Sequence, residues 1–175
     1  MISLRWHLPH ETCELDNAPA QPLPLDFQAR RKSRQRIDLP DGRVLAVALP
    51  PGTTMQPGDR LMGEGEIRFL VVAADEDVVR ITASDALALT RAAYHLGNRH
   101  IPVEVGDGYL AIEPDPVLED MLHRLGVATE HVRAPFQPES GAYGGGHRHG
   151  HDETFAEDQA LAQSLFLHHG GGALR

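Results

Sequence analysis

Apolar and polar residues alternate in short runs over the first third of the chain. "RIDLP" (Arg36–Pro40) meets "RVLAVALP" (Arg43–Pro50) across Asp41-Gly42. An Asp-Gly pair between alternating runs predicts a β-hairpin, because glycine takes the positive φ that a tight hairpin turn needs. "DRLMGEGEIRFLVVAAD" (Asp59–Asp75) predicts a second strand pair that turns between Gly63 and Gly65. No stretch before residue 75 carries a long helical period, so residues 1–74 read as a small all-β domain.

The pattern then changes. "DVVRITA" (Asp77–Ala83) predicts a strand, and "SDALALTRAAYHLG" (Ser84–Gly97) a helix with Ser84 as N-cap. Leu87, Thr90, Arg91 and Tyr94 follow one helical row, while Ala86, Leu89, Ala93 and Leu96 mark the apolar rows. Gly97 suits the left-handed position that ends a helix. "HIPVEV" (His100–Val105) reads as a strand, Gly106-Asp107-Gly108 as a turn and "YLAIE" (Tyr109–Glu113) as the returning strand. "DPVLEDMLHRLG" (Asp115–Gly126) predicts a second helix. Asp115 caps it, Pro116 sits at the first position, where the missing N–H costs nothing, and Gly126 ends it. "VATEHVRAPF" (Val127–Phe136) closes the series as a strand. The order β-α-β-β-α-β is the ferredoxin-like signature and spans residues 75–137. Beyond it, "PESGAYGGGHRHGHDE" holds little to bury, so residues 138–175 are expected to form a flexible Gly/His-rich tail, with a short amphipathic helix in "TFAEDQALAQSLFL" (Thr154–Leu167). The fold class is therefore α+β: a β domain, a ferredoxin-like domain and a His-rich tail.

Composition narrows the function. With 16 basic and 25 acidic residues the formal net charge is −9, which argues against non-specific nucleic-acid binding. The basic run "QARRKSRQR" (Gln28–Arg36) has no interleaved aromatic platform. It reads as a solvated strand start or a protein-docking surface, and an RNA-binding role for the ferredoxin-like sheet ranks low for the same lack of exposed aromatics. The single cysteine, Cys13, excludes an intrachain disulfide or thiolate cluster and reads as a small buried hydrophobe. No apolar run is long enough to span a membrane, and the N-terminal sixteen residues lack the apolar core of a secretory signal, so a cytoplasmic protein is expected. Phosphate-loop, serine-nucleophile and H-E-x-x-H patterns are absent, and "GEGE" is a turn. A metal-dependent hydrolase would need a general base beside a three-ligand site, which these residues do not assemble. A non-enzymatic protein is expected.

Histidine is over-represented: eleven, five of them after residue 146. His147, His149 and His151 alternate with Arg148 and Gly150, a period that sets three imidazoles on one side of an extended chain. Neutral imidazole binds nickel, copper and zinc, so the tract reads as a metal collector, with His168 and His169 sharing that role. An interrupted run followed by an acidic segment does not look like a purification tag. His100 stands three residues past Gly97, and one histidine cannot hold a metal tightly. It is either a polar residue at a helix end, where the dipole favours a cation, or half of a ligand pair made across a two-fold axis. His95 is accounted for by the helix dipole or by packing; His7, His10, His123 and His131 are isolated in sequence and read as structural.

"FQARRKSRQRIDLPDG", "RAAYHLGNRHIPVEV", "VLEDMLHRLG" and "APFQPESGAYGGG" followed by histidines resemble the UreE family of urease accessory proteins. The resemblance runs from about Leu23 to His151. It implies a homodimeric nickel chaperone with a β-rich peptide-binding-like domain and a ferredoxin-like metal-binding domain. Such a protein passes Ni(II) to the urease apoprotein through a complex with a urease accessory GTPase. The histidine of "GNRH" is His100, implied to pair with its symmetry mate on nickel at the dimer interface, with the C-terminal histidines adding ligands or holding further ions. Zinc and copper(II) would use the same nitrogens. Where some members carry histidines before the second helix, this chain has Glu113, Pro114, Asp115 and Pro116, so an auxiliary site is not expected there. A nickel or zinc buffer working through the tail alone is the competing reading.

Overall fold

The computed structural model describes residues 1–15, 18–64 and 67–140, without side chains for residues 13–15. The Cys13 side chain, the turn residues Gly65 and Glu66 and residues 141–175 of the expected tail lie outside what is described.

Six strands form one mixed sheet: β1 (Ile2–Leu8), β2 (Gln21–Leu25), β3 (Arg34–Asp38), β4 (Val44–Ala48), β5 (Arg60–Gly63) and β6 (Arg68–Ala73), in the order β2-β6-β5-β1-β4-β3. Both expected hairpins are present. β3 pairs antiparallel with β4, closed by Gly42 at φ 82, and β5 pairs antiparallel with β6. The pairs β1/β4 and β2/β6 are parallel. The edges are blunted. β2 reads "QPLPL", with both prolines pointing out and Leu23 and Leu25 in, and β3 carries Arg34 and Arg36 outward. Leu4, Leu45, Leu61, Phe69 and Val71 fill the inner face. Two short helical pieces interrupt the β pattern, a 3₁₀ turn (His10–Leu15) and the four-residue α1 (Phe27–Arg30). Asp26 caps α1 by accepting from the Ala29 N–H at 2.6 Å.

The second sheet holds β7 (Asp75–Thr82), β8 (Glu104–Gly106), β9 (Tyr109–Ile112) and β10 (Ala128–Pro135), in the order β10-β7-β9-β8 and wholly antiparallel. With α2 (Ala86–Gly97) after β7 and α3 (Pro116–Arg124) after β9, this is the ferredoxin-like arrangement expected from the element order. Val79, Ile81, Leu110 and Ile112 on one sheet face pack against Ala92 and Leu96 of α2 and Leu118 and Leu122 of α3.

Several local expectations need correction. The α2 cap is Asp85, not Ser84: the Asp85 carboxylate accepts from the Ala88 N–H at 2.9 Å, and a carboxylate is the better acceptor there. Ala86 is exposed, and Ala92 takes the buried place on the apolar face. "HIPVEV" is strand only from Glu104; Ile101 and Val103 instead pack sideways against the helix–sheet core, and Pro102 supplies no N–H to a ladder. Asp115 and Pro116 start α3, and Gly126, at φ 80, ends it as expected.

The opposite face of the second sheet meets α1. Phe27 and Phe136 pack edge-to-face at 5.3 Å. Arg30 is only 2 % exposed, donates through Nη2 to the Phe136 carbonyl and lies over the Phe27 ring. Burial pulls its pKa down against the attraction of Glu76 and Asp26. The Phe27 N–H donates to Glu76 Oε1 at 2.8 Å, and Gln28 Nε2 donates to both Glu113 oxygens, at 2.8 and 2.9 Å. The expected basic run thus contributes one buried joint residue, Arg30, rather than a uniform surface patch.

Candidate metal centre

His100 follows from how α2 ends. The last turn tightens through successive three-residue bonds: the Arg99 N–H donates to the Leu96 carbonyl and the His100 N–H to the Gly97 carbonyl, each at 3.0 Å. The left-handed residue is then not Gly97, which remains helical, but His100 itself at φ 55, the one non-glycine residue with positive φ among the described residues. An L-residue with a long side chain pays for that conformation, roughly 1–2 kcal/mol. It is held because Ile101 and Val103 must turn into the core immediately afterwards, with Pro102 fixing the backbone between them. The consequence is a histidine thrown outward at the tip of a tight turn. Its imidazole is exposed and has no hydrogen-bond partner among the described residues. Such a ring is unencumbered by an internal acceptor and both nitrogens remain open to a ligand.

Large apolar side chains are exposed elsewhere in this domain. Along the outward row of α2, Leu87 is 59 % and Tyr94 66 % exposed, and the row runs toward the His100 end of the helix. The expected row Leu87, Thr90, Arg91, Tyr94 is the solvent face. Val105 on the edge strand β8 is also exposed, and a cleft lined by Leu89, Ala93, Val105 and Leu110 opens between α2 and the β8–β9 hairpin. Among the described residues no group of three His, Cys, Asp or Glu side chains is arranged to hold a metal ion.

After β10 the chain returns to this side. The Gln137 N–H donates to Glu104 Oε2 at 2.6 Å, and the Glu139 N–H to the Val103 carbonyl at 2.9 Å. Tyr109 donates its hydroxyl to Glu104 Oε1 at 2.8 Å, a bond to a carboxylate that raises the phenol's pKa. Residues 137–139 are thereby tied to the segment that leaves His100. His147, His149, His151, His168 and His169 lie outside the described residues.

Four other histidines are engaged elsewhere. His7 and His10, isolated in sequence, converge on one carboxylate. Asp59, 1 % exposed, takes His7 Nε2 at 2.6 Å, His10 Nδ1 at 3.1 Å, the His10 N–H at 2.8 Å and the Gln56 N–H at 2.7 Å. These bonds outweigh desolvation and hold the carboxyl below its ordinary pKa. His131 pairs with Glu119 at 2.9 Å, and His123 with the Thr129 hydroxyl at 2.7 Å. Glu113, in the segment before α3, accepts two hydrogen bonds from Gln28 Nε2.

Comparison with known proteins agrees with this architecture. The family described as "UreE urease accessory protein, N-terminal domain" matches residues 6–84, and its "C-terminal domain" counterpart matches residues 76–169. The chain is similar to the urease accessory protein UreE of Ralstonia nicotianae, 56 % identical over 173 residues, covering 98 % of this chain and 82 % of that protein. It is similar likewise to those of Burkholderia vietnamiensis (57 % over 154 residues, 88 % and 77 % covered) and Paraburkholderia xenovorans (58 % over 152 residues, 87 % and 68 % covered).

Proposed function

The chain belongs to the UreE family of urease accessory proteins, and from that premise we propose that it is a nickel-binding metallochaperone that delivers Ni(II) for assembly of the urease active site. It works as a cytoplasmic homodimer of subunits with a β-rich domain over residues 1–74 and a metal-binding domain over 75–137. His100 and its symmetry mate hold the ion across the two-fold axis, and the histidine tail completes or feeds the site. It is a carrier and not an enzyme.

The observation that carries this reading is the outward, left-handed, unpartnered His100. Strain held at an exposed residue is the kind that function retains. Exposed Leu87 and Tyr94 on α2 and exposed Val105 on β8 support a second copy, because large apolar side chains left in solvent are best covered by a partner. The Glu139–Val103 bond supports a role for the tail. Val103 is three residues from His100, at most about 11 Å of chain, and the eight residues from 140 to 147 reach up to about 29 Å, so the chain length allows His147 to meet His100. Imidazole nitrogen is a fitting donor for nickel, and an open site with few protein ligands allows release to a client. Zinc and copper(II) would compete for the same nitrogens.

A buffer would bind nickel and stop there. A chaperone forms a nickel-dependent complex with the urease accessory GTPase and raises urease activation. Size-exclusion chromatography of the two proteins with and without nickel separates the cases. A complex that needs both nickel and His100 supports delivery; nickel binding with no complex under any condition supports the buffer.

A further inference from the structure

The outer face of the six-stranded sheet has a character that the nickel reading does not use. A register shift between Leu4 and Trp6 on β1 marks a bulge, and its effect is that two consecutive residues, Arg5 and Trp6, both face outward. Trp6 is the sole tryptophan of the chain and is 50 % exposed. Register places its neighbours. Trp6 stands opposite Met62, which stands opposite Arg68; the next row runs from Leu8 through Arg60 and Leu70 to Pro22. On the other side, Ser3 is opposite Ala46 and Ala46 opposite Arg36, while Arg34 is opposite Ala48. Arg5 Nε donates to Ser3 Oγ at 3.1 Å and so lies over the same face.

Five strand arginines therefore share one sheet face with a single strand carboxylate, Asp38, which is paired to Arg36 at 2.9 Å. This occurs in a chain whose formal charge is −9. Arg5, Arg34 and Arg36 are exposed, and Arg60 is steadied by the Ala18 carbonyl at 2.6 Å. Cationic and apolar positions are interspersed across the rows, so the face offers charge-assisted bonds around an aromatic anchor. That is the composition of an interface centre, where tryptophan and arginine carry most of the binding.

We propose that this face is a docking surface for an acidic protein segment bearing an aromatic or aliphatic side chain, which would seat on Trp6 while its carboxylates meet Arg5, Arg34 and Arg36. Charge complementarity selects an acidic occupant. The acidity of the rest of the molecule, and a single exposed aromatic in place of a stacking platform, disfavour nucleic acid. The surface is on the other sheet from His100, so it stands or falls apart from the nickel reading.

Because Trp6 is the only tryptophan, its emission reports on the surface directly. The probe is a fluorescein-labelled ten-residue peptide of alternating Glu and Asp with two phenylalanines, titrated into the full-length protein. Its lysine counterpart and a labelled 20-nucleotide oligo-dT serve as comparators. The expected result is saturable binding of the acidic peptide with a shift in Trp6 emission, weakening as salt is raised. Arg5→Glu/Arg34→Glu/Arg36→Glu should lower the affinity roughly tenfold or more through three exposed contacts, and Trp6→Ala should lower it in peptide anisotropy. An unchanged circular dichroism spectrum and nickel titration would show that these variants fold. Binding that survives charge reversal, equal binding of the lysine peptide, or binding of the oligonucleotide in place of the acidic peptide would overturn the proposal.

Discussion

Replacing Asp59 tests the account of the N-terminal sheet most sharply. Its carboxylate is 1 % exposed and accepts four bonds, two from backbone N–H groups (Gln56 and His10) and two from imidazoles (His7 and His10). Asp59→Ala leaves two amides and the half-buried His7 ring without acceptors. At about 1–3 kcal/mol for each stranded buried donor, discounted for the exposure of His10, the loss is roughly 3 kcal/mol. Asp59→Asn keeps the shape but presents an NH₂ to donors, since each carboxylate oxygen already receives two. It should cost about 2–3 kcal/mol, close to the alanine variant. Urea unfolding followed by Trp6 fluorescence reads this locally, because Trp6 precedes His7 on β1. The pH dependence has a definite sign. The folded carboxyl titrates below its ordinary value, so the unfolded chain binds the extra proton as pH falls. The stabilisation is fully present above the ordinary aspartate pKa of about 3.9 and disappears as pH drops through the lower folded value. Asp59→Asn should remove that part of the acid sensitivity. An asparagine variant as stable as the parent, or an alanine variant losing under about 1 kcal/mol, would refute the four-donor reading.

Other consequences are equally concrete. Burial raises the Glu76 pKa, so this group's contribution is present at low pH and fades as pH rises through the folded value; Glu76→Gln keeps an acceptor for the Phe27 N–H and should flatten that part of a stability-against-pH curve. Arg30→Met retains an apolar stem between Phe27 and the second sheet but strands the Phe136 carbonyl, and a loss of about 1–3 kcal/mol in thermal unfolding is expected. His100→Gly should match or exceed the parent's stability, by up to about 1 kcal/mol, because it relieves the positive φ, whereas His100→Ala should not. A glycine variant that unfolds earlier than the alanine variant would mean that the turn is not strained.

Features set by neighbouring residues were legible in the sequence. Asp41-Gly42 turned a hairpin, Asp115-Pro116 opened α3 and Gly126 closed it, because each acts through the chain within four residues. The β-α-β-β-α-β order was read from such local patterns, and the ferredoxin-like sheet followed from the motif as a whole, since its β7/β10 pair joins residues about fifty positions apart. The left-handed residue was misplaced because glycine is the cheapest occupant of that conformation. Here the burial of Ile101 and Val103 overrides that preference and moves it to His100. The Asp59 clasp was invisible because its histidines lie 49 and 52 residues away, and Arg30 was hidden in a run of cations that local pattern cannot sort into buried and solvated. The parallel β1/β4 and β2/β6 pairs depend on long-range register that no turn signal encodes. The GNRH motif drew attention to His100, but only the described turn explains why that side chain points outward.

The most direct test of the central claim is a nickel titration followed by native mass spectrometry on three proteins: the full chain, His100→Ala, and the chain truncated after Gly146. The account predicts a dimer for all three. The full chain takes up one tight ion per dimer and further weaker ones, the truncated protein keeps the tight ion and loses the weaker ones, and His100→Ala loses the tight ion while its tail still collects nickel. Because ligating imidazoles must be neutral, the tight ion should also leave reversibly on acidification from pH 7.5 to pH 5.5, across the ordinary histidine pKa of about 6.5. A His100→Ala dimer that retains the tight ion at pH 7.5 would contradict the account.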